Sequence, residues 1–295
     1  MRSPERMESI EPKIELWKEP EIYTLSLRRH SKYDTDIKSP RRGSLTPEGI
    51  QMAKDAAEEW KKNLPEGTDI SIFESPSYLP AGERIDPETG ETHMLAPRRA
   101  TITASIYEKS LFGDLAPAKT DEESGMKQSV RRQKEPLIGD LMEHAKDGSK
   151  IPAFFKARGK AYGDDLPRFW HDFVTGNLPE EVEKTLKVAG GTCAKEQAQN
   201  MLTFILKTNQ QPRSEKKQAG IALSHGEPQE SLLHQMDKFL EETKGMNPGL
   251  YQGMIAHNKG MDLHMKPDGM MTIIKEGHPP VEIDALAFDQ WLKQQ

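Results

Sequence analysis

The chain has 295 residues, of which 35% are hydrophobic and 30% are charged, and its formal net charge is −6. This length allows one large domain or two modest ones, and the acidic balance argues against a nucleic-acid-binding surface. Cys193 is the only cysteine, so no intramolecular disulfide can form, and we expect a reducing, cytoplasmic location. Residues 1–20 are charged and lack the apolar segment of a secretory signal. No window approaches the ~18 continuous apolar residues of a membrane span, so we expect no membrane partner.

An apolar stretch over residues 22–27 predicts a buried strand, because apolar and small polar residues alternate along it. Arg29 and His30 follow at once, and charged groups cannot continue into a buried sheet without a large desolvation cost. They therefore mark the carboxyl edge of a sheet, where open α/β folds bind ligands. Arginine matches phosphate oxygens in two-point fashion, and imidazole is a nucleophile that can attack phosphorus. The stretch is typical either of phosphate chemistry or of a basic loop with a surface histidine.

The phrase Leu-Thr-Pro-Glu-Gly at residues 45–49 predicts the start of a helix. Thr46 suits the N-cap and Pro47 suits the first helical position. The apolar residues that follow at helical spacing predict its buried face, which comprises Ile50, Ala53, Ala57 and Trp60.

Two further apolar stretches, 69–73 and 220–223, predict strands that end in polar residues. Helical patterns lie between them, and this alternation favours an α/β fold. Residues 77–97 are rich in Pro, Gly, Glu and Thr and predict an inserted loop or hairpin, whereas 110–130 are typical of a linker. Residues 254–274 predict a β-hairpin with its turn at Pro-Asp-Gly, and a short helix should follow it.

Metal binding has little support in the sequence. The histidines and methionines of the predicted hairpin, His257 and His264 among them, are compatible with a soft metal. A methionine-rich hairpin that packs on the core is the preferred interpretation. We find no ligand cluster with metal spacing, so we expect no metal and no cofactor.

Four motifs follow one another along the chain: Arg29-His30 after a strand, Leu-Thr-Pro-Glu-Gly, Arg99-Ala-x-x-Thr-Ala, and Ser-His225-Gly after another strand. In this order they resemble the histidine phosphatase superfamily, the phosphoglycerate-mutase-like proteins. The resemblance covers chiefly residues 22–109 and 192–240. One departure is Ser31, which stands where the superfamily has the glycine of Arg-His-Gly.

The resemblance implies a three-layer α/β/α sandwich with a mostly parallel central sheet, inserted loops and a C-terminal β-hairpin. We expect residues 1–20 to be a polar lead-in and residues 21–295 to form a single domain. The insertions should lie near residues 77–97 and 110–190.

The resemblance also implies roles for the motif residues. His30 would be the nucleophile, and Arg29, Arg99 and His225 would hold the transferred phosphoryl group. Apart from the resemblance, the loop after the first strand is basic, and Arg41 or Arg42 could meet a second anionic group of the substrate, although such a charged run is more often simply solvated.

Three carboxylates are candidates for the general acid. The mutase branch carries its acid three residues or so before Gly-Asp-Leu, and Glu135 takes that position. Asp140 and Glu227 are the rivals. A carboxyl group near a phosphate can have its pKa raised, which keeps a proton available for the leaving oxygen.

The expected function is a metal-independent phosphatase that hydrolyses a phosphate monoester, a small molecule, through a phosphohistidine. Residues 32–38 lack the tryptophan- and asparagine-containing phrase of the glycolytic mutases, so a mutase-type phosphotransferase is the second reading. A non-catalytic, phosphate-recognising regulatory module is the third, and Ser31 and the 77–97 insertion favour it. The sequence leaves the substrate and the oligomeric state open.

Overall fold

The structure is a computed structural model, and it describes residues 23–34, 45–75, 83–85, 92–94, 99–113, 118–120, 127–129, 132–139, 150–210 and 217–295. The predictions made for residues 1–20, for Arg42 and for Asp140 lie outside the described residues.

The described residues form strands and helices in a mixed order. The strands are β1 (Tyr23–Arg29), β2 (Asp69–Glu74), β3 (Glu83–Ile85), β4 (Thr92–Met94), β5 (Ala118–Thr120), β6 (Lys127–Ser129), β7 (Arg132–Lys134), β8 (Gln218–Ser224), β9 (Gly260–Met265), β10 (Met270–Lys275) and β11 (Val281–Asp284). The helices are α1 (Pro47–Asn63), α2 (Arg99–Phe112), α3 (Ile151–Tyr162), α4 (Leu166–Thr175), α5 (Glu180–Val188), α6 (Ala194–Asn209), α7 (Gly226–Lys244) and α8 (Ala285–Gln294). A 3-10 turn, Pro136–Ile138, follows β7.

The main sheet has the strand order β11-β10-β9-β1-β8-β2-β7. Its central pairs β1–β8, β8–β2 and β2–β7 are parallel, so these strands end at the same edge. Strands β9, β10 and β11 extend the sheet in antiparallel fashion. The predicted C-terminal hairpin is therefore confirmed, although its first strand begins at Gly260 and not at residue 254.

Helices cover both faces of this sheet. Successive strand residues point to opposite faces: Leu27 and Phe73 pack with α6, α7 and α8, while Ile72 and Ile221 pack with α1 and α2. The predicted three-layer α/β/α sandwich is confirmed. Burying each large side chain on these faces stabilises the fold by about 1.5–3 kcal/mol.

Helix α1 begins as predicted. The Thr46 hydroxyl accepts from the Gly49 N–H at 3.0 Å, and Pro47 opens the first turn. The predicted inner face is wrong at one position, because Ile50 is 37% exposed. The buried stripe starts at Gly49, where a Cβ would lie 1.9 Å from the carbonyl oxygen of Lys32. The chain after β1 crosses this turn so closely that only glycine fits.

The insertions carry structure of their own. Strands β3 and β4 pair antiparallel within residues 77–97, as the hairpin reading expected. Strands β5 and β6 pair antiparallel within residues 110–130, which corrects the prediction of a linker there. Helices α3, α4 and α5 share a separate apolar cluster built around Phe154, Phe169 and Phe173. In the described part of the chain, no helix combines the length and the apolar character needed to cross a bilayer.

Candidate active site

The imidazole of His30 lies at the end of β1, where the buried strand gives way to a loop, and only 2% of the residue is exposed. Its backbone N–H donates to the carbonyl of Ser224 at 2.8 Å, which joins the ends of β1 and β8. Its Nδ1 lies 2.8 Å from the carbonyl oxygen of Ser31. Because a carbonyl only accepts, Nδ1 carries the proton and Nε2 keeps its lone pair.

The pKa of His30 reinforces this arrangement. Burial, and after it the neighbouring His225 and Arg99, lower the pKa well below the ordinary value of 6.5. His30 is therefore neutral at neutral pH. A neutral imidazole with a free Nε2 is the form that can act as a nucleophile.

His225 follows β8 directly, and the parallel pairing of β1 with β8 brings it beside His30 with ring centroids 5.2 Å apart. It is 5% exposed and occupies the N-cap position of α7. Nη2 of Arg99 lies 3.4 Å from Nδ1 of His225. Because a guanidinium only donates, this contact leaves the His225 proton on Nε2. The N–H groups at the start of α7 add a partial positive charge at the same edge.

Two half-buried arginines complete the cluster. Arg29 donates through Nη1 to the carbonyl of Ile255 at 2.5 Å, and the guanidinium of Arg99 lies 4.4 Å from the ring centroid of Tyr33. The Nε atoms of both arginines are buried without a hydrogen-bond partner. Within the described ranges, neither guanidinium pairs with a carboxylate. The two guanidinium groups thus lack an ion-paired carboxylate among the described residues, which suits the binding of a phosphate dianion.

Ser31 fits the position where the superfamily pattern has glycine. Its backbone does not adopt a positive φ, so a side chain is tolerated. Its N–H donates to the hydroxyl of Thr103 at 3.1 Å, and its own hydroxyl donates to the carbonyl of Gly49 at 2.5 Å. The same hydroxyl accepts from Nδ2 of Asn258 at 2.8 Å. Ser31 therefore ties α1, α2 and the segment before β9 to the end of β1.

Two aromatic side chains of the site were not predicted as site residues. The Tyr33 ring lies 5.2 Å from that of His30, and the His257 ring lies 5.6 Å from it. The sequence interpretation placed His257 inside the hairpin, but β9 begins only at Gly260. Because β9 runs antiparallel to β1, the residues that precede it return to the edge where β1 ends. The only signal in the sequence was a histidine just before a strand. The pairing of that strand with β1 could not be predicted from the sequence.

The two acid candidates among the described residues are Glu135 and Glu227. Glu135 follows β7 at the same sheet edge, with β2 lying between β7 and β8. Its carboxylate accepts from the N–H of Leu137 at 3.2 Å and from Nζ of Lys207 at 3.3 Å. The contacts that hold it thus belong to the 3-10 turn and α6. Glu227 lies in the first turn of α7, two residues after His225.

The described residues contain no side-chain cluster suited to metal binding. There, no group of three or more His, Cys, Asp or Glu side chains is placed to hold an ion. The two histidines of the soft-metal reading are held apart. His264 lies in β9 with Nδ1 3.1 Å from the hydroxyl of Thr24, whereas His257 belongs to the site.

The sequence matches no family model and no curated protein. The structure is similar to a phosphoglycerate mutase from Bacillus anthracis, with 13% identity, a TM-score of 0.49, and coverage of 92% of this chain and 97% of that chain. It is also similar to YhfR from Bacillus stearothermophilus, with 15% identity, a TM-score of 0.47, and coverage of 87% and 98%.

A third similar structure is a phosphoserine phosphatase from Entamoeba histolytica, in complex with 3-phosphoglyceric acid. It has 17% identity, a TM-score of 0.40, and coverage of 88% of this chain and 94% of that chain. At such low identities the likeness concerns the course of the chain alone. The roles of individual residues rest on the contacts described above.

Proposed function

We propose that this chain is a histidine phosphatase that hydrolyses a small phosphate monoester through a phosphohistidine on His30. One observation carries the proposal: a buried, neutral imidazole with a free Nε2 lies among guanidinium groups that have no carboxylate partner in the described structure. A module that only bound phosphate would need the arginines but not the nucleophile. The cytoplasmic location and the small-molecule partner belong to the same proposal.

In the first step, Nε2 of His30 attacks phosphorus and the bond from phosphorus to the ester oxygen breaks. The Ser31 carbonyl, which accepts from Nδ1–H, stabilises the positive charge that develops on the ring. Arg29, Arg99 and His225 neutralise the non-bridging oxygens, which is where charge stabilisation acts in phosphoryl transfer.

In the second step, water attacks the phosphohistidine, the P–N bond breaks, and inorganic phosphate leaves with His30 regenerated. The departing alcohol oxygen takes a proton in the first step, and the same acid group accepts one from water in the second. Glu135 is our candidate for this group. Its ion pair with Lys207 must loosen for the carboxyl group to reach a substrate, since the carboxylate is held at 3.3 Å in this structure.

The test is release of phosphate from a panel of phosphomonoesters in the presence of a chelator, for the wild type and for His30→Ala. We expect release by the wild type that survives chelation and falls by at least about 10³-fold in the variant, because the covalent route is lost. Acid quenching should trap an acid-labile phosphoenzyme only in the wild type.

The contrary results are equally definite. Release that persists undiminished in His30→Ala would overturn the assignment of the nucleophile. A folded wild type that releases no phosphate but transfers it to a second phosphorylated metabolite would replace hydrolysis with a mutase-type reaction.

A further inference from the structure

We propose that His257 is a further phosphoryl-binding residue, which is neutral in the free protein and takes up a proton when a phosphate dianion enters. The inference rests on the proposed function, because it concerns the same site. It adds a proton-coupled cation to the arginines and His225.

The first support is the way in which the loop before β9 is anchored. The peptide unit at Ile255 is held on both sides, since its N–H donates to the Glu230 carboxylate at 2.7 Å and its carbonyl accepts from Arg29. Asn258 is held through its N–H, which donates to the Arg29 carbonyl at 3.1 Å, and through its side chain on Ser31. His257 lies between these two anchors, so its ring is positioned by the site itself.

The second support is the placement of the ring. The centroids of His257 and His30 are 5.6 Å apart, close to the 5.2 Å that separates His30 from His225. Two imidazoles thus flank the nucleophile at similar distances. Nε2 of His257 is buried and has no hydrogen-bond partner within the described residues. A phosphoryl group at His30 would supply the missing oxygen acceptor.

The third support is the charge around the ring. Arg29 from β1, Lys32 from the loop after β1, and Arg99 from α2 act on it electrostatically, and the Tyr33 ring lies 6.0 Å away. Burial, followed by these three cations, lowers the pKa of His257 to about 4. The buried Glu230 meets the loop at its backbone, and burial raises the pKa of that carboxyl to about 7.

A bound dianion reverses this electrostatic balance. Its negative charge offsets the surrounding cations, and an opposite charge at this range raises a histidine pKa by about 1–3 units. By linkage, a ligand that raises the pKa binds more tightly as the pH falls toward that pKa. His257 therefore makes oxyanion affinity depend on pH.

The test uses tungstate, a tetrahedral dianion, and NMR of the histidine ring Cε1–H signals. The His257 signal is assigned with His257→Gln, and its titration is followed with and without saturating tungstate. We expect the midpoint to rise by at least about one pH unit on binding. His234 is the matched control, because burial lowers its pKa to about 4 as well, but it lies in α7 more than two turns after His225 and its ring contacts Tyr251.

The variants supply a second readout. We expect His257→Gln to bind tungstate about 10- to 100-fold more weakly at a pH below the midpoint measured with tungstate, where the wild-type ring is charged, because the variant loses a charged hydrogen bond. His234→Gln should bind as the wild type does. The NMR titration uses the wild-type protein, so it decides the matter even if a variant fails to fold.

Two results would overturn the inference: a His257 midpoint that tungstate leaves unchanged, or undiminished tungstate affinity in a folded His257→Gln. Either result leaves the proposed function intact if His30→Ala still abolishes phosphate release. A wild type that neither binds tungstate nor releases phosphate would overturn the proposed function itself.

Discussion

The two halves of the parallel sheet edge use the same residue types for opposite purposes. Beside the end of β2, Arg132 at the first position of β7 lies 3.2 Å from Glu74 and 3.1 Å from Glu108 of α2, and all three side chains are buried. At the ends of β1 and β8, Arg29 and Arg99 have no such carboxylates in the described structure. An arginine that is ion-paired within the fold contributes to stability, and we propose that Arg29 and Arg99 bind an anionic ligand instead.

This contrast explains why a buried arginine is by itself a poor indicator of function. A buried ion pair is costly to break because the surviving partner remains desolvated. An arginine that lacks a protein partner keeps its binding capacity for an anion from outside. The predictions below are designed to separate these two conditions.

The largest effect on catalysis is expected at Arg99. Changing Arg99→Gln removes a donor to the developing charge, so kcat/KM for phosphate esters should fall by about 10²–10³-fold. The free energy of unfolding should change by less than about 1 kcal/mol, because no described carboxylate loses a partner. Phosphate release and urea unfolding check the two parts. A loss of stability as large as the loss of transition-state stabilisation would erase the contrast with Arg132.

At Arg132 we expect a large loss of stability instead. Changing Arg132→Met leaves Glu74 and Glu108 buried without their cation, which should lower the free energy of unfolding by about 3–5 kcal/mol. The control is Arg168→Met, since Arg168 is 68% exposed and its ion pair with Asp172 spans 3.9 Å. That exposed pair should contribute less than about 1 kcal/mol. Equal effects in the two variants would contradict the distinction.

A smaller effect is expected at Ser31. Changing Ser31→Gly removes the hydroxyl that bridges Gly49 and Asn258, which should cost about 1–3 kcal/mol of stability. The nucleophile is untouched, and the superfamily pattern has glycine here, so kcat should stay within about fivefold. Urea unfolding of Ser31→Gly, Asn258→Ala and the double variant gives the coupling. Strictly additive effects would show that the bridge contributes nothing.

The smallest effect concerns pH and lies away from the site. The pKa of His234 is lowered by burial to about 4, so between pH 4 and 6.5 the unfolded chain binds the proton more readily than the folded protein does. Stability due to this group is therefore lost as the pH falls through that window. His234→Gln should reduce the proton uptake on unfolding at pH 5 by up to about one proton. Unfolding free energies measured between pH 4 and 7 check this.

Glu230 affects the pH dependence of the free energy of unfolding in the opposite direction to His234. Its pKa is raised by burial to about 7, so the folded protein keeps a proton that the unfolded chain has lost above pH 4.5. Its contribution is complete below pH 4.5 and disappears as the pH rises toward 7. Glu230→Gln should therefore make the stability of the protein rise more steeply with pH. A flatter curve in that variant would contradict the assignment.

Local sequence was sufficient where a pattern stops abruptly. An alternating stretch that ends at Arg29 and His30, and an apolar stretch that ends at Ser224 and His225, predicted two strand ends. Parallel strands that pair must end at the same edge. The N-cap at Thr46 was also predictable, because its hydrogen bond joins residues only three positions apart in the chain. Each of these features depends on neighbours in the chain or on the common direction of the strands.

Tertiary structure alone decided the rest. Gly49 is buried because the chain beyond β1 passes close above it, and His257 lies near His30 because β9 pairs antiparallel with β1. Packing also decided which charged groups form ion pairs. Arg132 of β7 pairs with Glu108 of α2, and Glu135 pairs with Lys207 of α6. The sequence determines the residues that carry the chemistry. Contacts between distant segments determine which charges remain unpaired, because desolvation and pairing depend on distances that no local pattern encodes.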